Sequence, residues 1–236
     1  FFSKYSSWKV RGATLGKKGK HLVLKVIVEG TKVLNPCKDS DVLGIDLGLK
    51  NFAFMSNGLF IRSNKIRKIK RNYAYLRRKL QSCGTRSAKR KLRRLRGRER
   101  RFMRDFNHQL SKRVADLPYG TFALENLKGI RKGRKSKRFN RMRSNWSYYQ
   151  FRMFLDYKAE DRGKNLLLVD PRYSSQECCS CGYIAKENRN KSKFKCVRCS
   201  FSLPADFNAS INISQRAEGF LAEQAVVNQP KVTIDE

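Results

Sequence analysis

VLGIDLGLKNFAF, residues 42 to 54, is the stretch whose reading decides the fold. An apolar run of strand length, Val42, Leu43, Gly44 and Ile45, reaches a single carboxylate at Asp46 and then Gly48. Phe52 and Phe54 then alternate with smaller residues, so the pattern predicts a β-hairpin carrying one acid. With a period of two, Gly44, Asp46 and Gly48 share a face, a patch bare of side chains where a ligand backbone can come close. Taken alone, Asp46 reads as a turn aspartate at a strand end. The surrounding chain changes that reading.

Downstream, Ser56-Asn57-Gly58 predicts a turn into a third short strand over residues 59 to 62. From residue 64 to about 114 the pattern becomes helical and overwhelmingly basic. Ile66, Ile69, Tyr73, Leu76 and Leu80 mark one apolar stripe, and Leu92, Leu95, Phe102, Phe106, Leu110 and Val114 mark a second. Cys83-Gly84-Thr85 breaks them into a long helical hairpin. Arg77, Arg78, Arg90, Arg93 and Arg94 stand out among its cations, while Glu99 and Asp105 are its only acids. A charge run that cannot neutralise itself calls for an external anion, and the phosphate backbone of a nucleic acid is the best candidate.

Residues 121 to 125, TFALE, predict another strand, which ends on a second lone acid, Glu125; residues 130 to 143 predict a basic loop. Aromatic and apolar residues between 146 and 162 (Trp146, Tyr149, Phe151, Phe154, Leu155, Tyr157) recur at helical spacing and read as core. NLLLV, residues 165 to 169, reads as a central strand flanked by helices. Upstream, residues 7 to 11 and 21 to 29 predict two strands joined by a GKKGK turn at 16 to 20, with His21 at the surface and a chain break at 36 to 40. The succession predicts a mixed α/β sheet.

The 236 residues suit one good-sized domain, or one domain with a small insertion, and 40% apolar content suffices for a core. Lys and Arg number 54 against 19 for Asp and Glu, a net charge of +35 that points to a polyanionic partner. No apolar run approaches the roughly 20 residues of a membrane-spanning helix, so no membrane partner is expected. The chain opens on FFSKYSSWKV, strand-like and without Met, and reads as a piece of something longer.

Cys178 and Cys181 form one CxxC pair; fourteen residues later (182 to 195 intervening) Cys196 and Cys199 form another. Two such knuckles at this separation predict a four-cysteine zinc ribbon holding one ion. Four thiolates leave no open coordination position, so this zinc is structural. Just after the ribbon, ADFNASINI (residues 205 to 213) opens a helix with Asp206 in its first turn, where a capping or dipole role would be ordinary. Asp46, Glu125 and Asp206 nevertheless each stand at the end or start of a core-type element in an acid-poor chain. Three converging carboxylates are what a pair of Mg²⁺ or Mn²⁺ ions needs to cut a phosphodiester.

At these residues a resemblance becomes specific. GIDLG around Asp46, ALENLKG around Glu125 and ADFNASINI around Asp206 resemble the three motifs of RuvC-type nucleases, which share the RNase H fold. DPRYSSQECCSCG (170 to 182) and KFKCVRC resemble the zinc-ribbon target-binding segment of transposon-encoded TnpB proteins and the related type V CRISPR effectors. The likeness spans residues 42 to 214; Pro171, Cys179, Phe207 and Ser210 depart from the family pattern. It implies an α/β, RNase H-like (RuvC) mixed sheet with a basic helical hairpin and an inserted four-cysteine zinc ribbon. Four segments follow: 1 to 40, the last strands of a guide-RNA-binding (wedge-like) domain; 41 to 172 with 203 to 217, the nuclease domain; 173 to 202, the ribbon; and 218 to 236, a frayed tail.

The implied activity is a metal-dependent, RNA-guided DNA endonuclease using two metals. Asp46, Glu125 and Asp206 would be the catalytic ligands, and Arg172, just ahead of the ribbon, is a candidate to steady the scissile phosphate. Guide RNA and target DNA, as a single strand or an RNA–DNA heteroduplex, would be the partners. The expected location is cytoplasmic, nucleoid-associated in a prokaryote, with the oligomeric state left open. A DDE-type transposase, or a non-catalytic nucleic-acid-binding zinc-ribbon protein, are the alternatives.

Overall fold

A computed structural model describes residues 5 to 30, 41 to 48, 51 to 127 and 148 to 227. The expectations placed at residues 36 to 40, 130 to 143 and 228 to 236, and at Trp146, lie outside them. The chain divides into two compact units, Phe1–Asn35 and Pro36–Glu236.

The first unit is an antiparallel hairpin of β1 (Lys9–Lys18) and β2 (His21–Glu29). Its register pairs Lys18 with His21, so the turn is Gly19-Lys20 and β1 runs well past the expected end at residue 11. Gly16 and Lys17 leave the expected turn for the ladder, where their partners are Val23 and Leu22. That pairing satisfies backbone groups a longer loop would leave to water.

The second unit is built on a five-stranded sheet in the order β5-β4-β3-β6-β7. β3 (Val42–Asp46), β4 (Asn51–Met55) and β5 (Phe60–Arg62) form an antiparallel meander. β6 (Thr121–Glu125) runs parallel to β3, and β7 (Asn165–Val169) parallel to β6. The sheet is mixed, as the sequence predicts, but β7 is its edge strand among the described residues rather than a central one. A continuous apolar run reports two covered faces, and an edge strand between helical layers has those without a second neighbour.

Period-two alternation sorts the sheet's side chains. Leu43, Ile45, Phe52, Phe122 and Leu124 pack on one face against Met103, Leu110 and Val114 of α2 (Arg86–Ala115) and Phe151 and Leu155 of α3 (Tyr148–Glu160). Val42, Ala123 and Val169 pack on the other against Ile213 and Ala217 of α4 (Ala205–Val227), with Leu221 beside them. The helix continues through Val227, in place of a frayed tail from residue 218. α1 (Asn64–Cys83) and α2 form the basic hairpin, broken at Gly84-Thr85; Thr85 Oγ1 accepts the Ala88 N–H at 3.2 Å and caps α2.

The glycine patch beside Asp46 has an occupant within the chain. A Cβ at Gly44 would lie 2.0 Å from the Ser210 carbonyl oxygen and 2.5 Å from the Ser214 nitrogen, so the bare face of β3 receives α4 and not a ligand. Ala209 and Ser210 are buried on that helix, and Ser214 Oγ donates to the Val42 carbonyl at 2.8 Å. At Gly48 a Cβ would meet the Asn51 carbonyl oxygen at 2.8 Å.

Candidate functional site

Parallel register sets the first two acids side by side. Gly44 pairs with Ala123 and Ile45 with Leu124, so Asp46 and Glu125 end neighbouring strands, and period two turns both toward the α4 face. The close approach of α4 at Gly44 brings Asp206, in its first turn, to the same end of the sheet. All three residues are half-buried.

Their electrostatics show the convergence. Burial, then the charges of Glu125 and Asp206, push the Asp46 carboxyl from 3.8 up to about 8, against the opposing pull of Arg189. Burial also raises Glu125, opposed by a hydrogen bond from Ser174 and by Arg216 and Arg189. The carboxylates are packed less tightly than the thiols below: among the described residues, only the four cysteines bring their ligand atoms within 4.8 Å of one another.

Three neighbours complete the acidic centre, and none of them stands out in the sequence. Asn51 Nδ2 donates to Asp206 Oδ2 at 3.1 Å, the Arg189 guanidinium lies 3.4 Å from Asp206 Oδ1, and Ser174 Oγ donates to Glu125. Each comes from a different segment, so no local spacing marks them. Arg172 is placed differently: its side chain is 83% exposed, with Nε 4.0 Å from Asp170 Oδ2. Arg78, Arg90, Arg93 and Arg94 are exposed on the hairpin, whereas Arg77 is ion-paired with Glu99 across it.

The ribbon brings its two knuckles together. Cys178 and Cys199 sulfurs are 3.7 Å apart and Cys181 and Cys196 sulfurs 3.6 Å. A tetrahedron with zinc–sulfur bonds of about 2.3 Å has edges of about 3.8 Å, so the spacing fits zinc and is far from a disulfide. The Cys179 thiol is outside the group. The two knuckles repeat one geometry: Gly182 N–H donates to the Cys178 carbonyl and Ser200 N–H to that of Cys196, both residues at positive φ. Fully buried Asn188 bridges them, donating to the Gln176 and Tyr183 carbonyls and accepting from Val197 N–H.

No linker separates ribbon from acid. β8 (Arg189–Asn190), β9 (Lys193–Lys195) and β10 (Ser202–Pro204) form its small sheet, and β10 runs directly into α4. One stripe of α4 then grips the segment ahead of the first knuckle. Asn208 Oδ1 accepts the Cys179 N–H at 3.1 Å and its Nδ2 donates to the Glu177 carbonyl; Asn212 donates to the Ser174 and Glu177 carbonyls; Arg216 pairs with Glu177.

Comparison with known proteins adds to this geometry. Residues 25 to 129 match the family model described as "Probable transposase" (OrfB_IS605), and residues 148 to 213 match "Cas12f1-like, TNB domain". A CRISPR-associated endodeoxyribonuclease Cas12f1 of Sulfoacidibacillus thermotolerans is 36% identical over 46% of this chain and 26% of its own length. The TnpB-like protein MJ0751 of Methanocaldococcus jannaschii is 28% identical over 82% of this chain and 75% of its own. A cryo-EM structure of a Cas12f1–sgRNA–target DNA complex superposes with a TM-score of 0.61 at 23% identity, covering 90% of this chain and 56% of that one, and shows a common fold. The chain thus spans about a quarter of one curated relative and three quarters of another. Its likeness to TnpB-type proteins and the Cas12f nucleases is shown along two separate stretches.

Proposed function

From that likeness we propose that the chain is the cutting and target-handling part of an RNA-guided DNA endonuclease, with a RuvC-type, RNase H-like sheet as its frame. The observation that carries this is the placement of Asp46 and Glu125 at the ends of neighbouring strands, with Asp206 in the first turn of the helix packed over them. An all-oxygen donor set suits a hard cation, and a divalent ion there would offset the burial and the neighbouring negative charges that raise the Asp46 carboxyl. Asp46, Glu125 and Asp206 would hold Mg²⁺ or Mn²⁺, two ions in this reading, which would supply Lewis-acid activation of the phosphodiester and of the attacking water.

The chain's own groups orient that centre. Asn51 fixes one oxygen of Asp206, and Ser174 fixes one of Glu125. Arg189, beside the other Asp206 oxygen, carries guanidinium donors suited to a phosphate oxygen. The ribbon zinc is structural. Guide RNA pairing reads the sequence, and the basic hairpin and ribbon hold target DNA, as a single strand or heteroduplex, by charge and shape. Within this reading, residues 1 to 40 belong to a guide-binding domain, 173 to 202 to the ribbon and the remaining elements through α4 to the nuclease, working in the cytoplasm.

The test is cleavage of target DNA by wild type and Asp46→Ala, with copurified guide RNA, in Mg²⁺ and in EDTA. Cutting should vanish in EDTA and in the variant while nucleic-acid binding persists. EDTA-resistant cutting, or wild-type rates from Asp46→Ala, would overturn the assignment. The first family model's description favours one second reading, a transposase on the same carboxylates. Strand-transfer products from labelled donor DNA would identify it.

A further inference from the structure

Arginine occupies every position one or two turns from Gly97 on its side of α2. Arg94 and Arg100 lie three residues away, Arg93 and Arg101 four, and Arg90 and Arg104 seven. In an α-helix these positions surround the central residue on one surface, and all six side chains are exposed. Ala88 and Phe106, each nine residues or two and a half turns from Gly97, fall on the opposite surface. There Ala88 is buried and Phe106 packs on the core. Gly97, itself half-buried among these side chains, is the middle of the outward face.

The fold does not need a glycine here. Mid-helix Gly is less favourable than Ala by about 1 kcal/mol, and a Cβ at Gly97 would meet nothing nearer than the Arg101 guanidinium tip at 3.4 Å. Gly44, where backbone stands 2.0 Å from the Cβ position, is the opposite case. The cations around Gly97 have no carboxylate partner among the described residues; Glu99, the nearest acid in sequence, is paired with Arg77. Like charges three and four apart on a helix repel, so this face is unfavourable until an external polyanion covers it.

We propose that a nucleic-acid strand crosses α2 at Gly97, one phosphodiester riding on the bare helix surface while the six arginines take that phosphate and its neighbours. The Gly97 N–H is used within the helix, so the residue supplies room and not a donor. At 1.5 Å per residue, Arg90 to Arg104 spans about 21 Å, enough for several phosphates. Without a side chain beneath it, the backbone sits closer to the helix axis and each guanidinium–phosphate distance shortens, which strengthens every charge-assisted contact. This rests on the reading that the chain binds nucleic acid.

The test is fluorescence anisotropy of the full chain with a DNA duplex, an RNA–DNA hybrid and single-stranded DNA, at about 150 mM salt. Gly97→Ala and Gly97→Leu carry similar helix propensity and differ in size, so both should raise the melting midpoint. Affinity should fall about threefold for Ala and tenfold or more for Leu. Gly219→Ala on α4, which likewise gains propensity where a Cβ meets nothing within 4 Å, should leave affinity unchanged. Whichever polymer shows the largest drop is the strand that crosses. Unchanged affinity in Gly97→Leu overturns the crossing while leaving salt-dependent wild-type binding intact. Equal drops for Ala and Leu overturn it too, since they report stiffening and not contact. Wild type that binds none of the three polymers overturns this proposal together with the reading beneath it.

Discussion

Gly44 on β3 and Ser210 on α4 stand so close that a Cβ on the glycine would lie 2.0 Å from the serine carbonyl oxygen. This contact, made by backbone, sets the height of α4 over the sheet and carries Asp206 to the ends of the strands bearing Asp46 and Glu125. Gly44→Ala should therefore destabilise the protein by about 1 to 3 kcal/mol, the range of core overpacking, and abolish cleavage out of proportion to that destabilisation. Ser210→Gly should fail to rescue it, because the obstructing atom is main chain. Urea unfolding of the single and double variants is the measurement; rescue would show that the side chain mattered instead.

The Asp46 carboxyl predicts a pH dependence of stability. It ionises near 3.8 when unfolded and near about 8 in the fold, so between those values the unfolded chain has released a proton that the folded chain retains. Stability falls as pH rises through that window, by up to about 1.4 kcal/mol per unit, and levels off above it. Glu125, also raised, acts in the same direction. Zinc thiolates respond oppositely, binding more tightly as pH rises, so the readout is a comparison. In zinc-loaded, Mg²⁺-free protein, Asp46→Asn should gain melting temperature over wild type from pH 6 to 8.5. A constant difference across that range would contradict the carboxyl's assignment.

Zinc should be inseparable from the position of Asp206, because β10 runs into α4 without a linker and Asn208 grips the first knuckle. Wild type should hold one equivalent of zinc; Cys178→Ser or Cys199→Ser should release it. Hydrogen exchange should then accelerate at residues 174 to 200 and in the first turns of α4 while β3 and β6 stay protected. A zinc-free protein with an unchanged exchange pattern would refute the coupling.

Arg77 and its neighbours should separate in a salt titration. Replacing Arg78, Arg90, Arg93 and Arg94 by Gln should flatten the dependence of nucleic-acid affinity on salt by roughly one unit of slope for each phosphate no longer neutralised. Arg77→Gln should change the slope little and the melting temperature more, since its partner Glu99 is mostly buried, at 13% exposure. Equal slopes for Arg77→Gln and Arg93→Gln would place both on the same surface.

Elements with a local physical signature were legible in the chain. Period-two runs located β3, β4 and β6 within a residue or so, apolar stripes the helical hairpin, and the paired CxxC spacing the sulfur cluster. Asp46, Glu125 and Asp206 were visible as lone acids at element ends. What bound them together was not: parallel register between β3 and β6, and the approach of α4 at Gly44, arise from pairings between segments distant in the chain. For the same reason Asn51, Ser174 and Arg189 carry no mark in sequence, because a side chain's role there depends on which carboxylate the fold sets beside it. The bare face at Gly44 and Gly48 illustrates the limit. Sequence shows that a glycine leaves space, and only tertiary packing decides whether a ligand, a turn or the chain's own helix fills it.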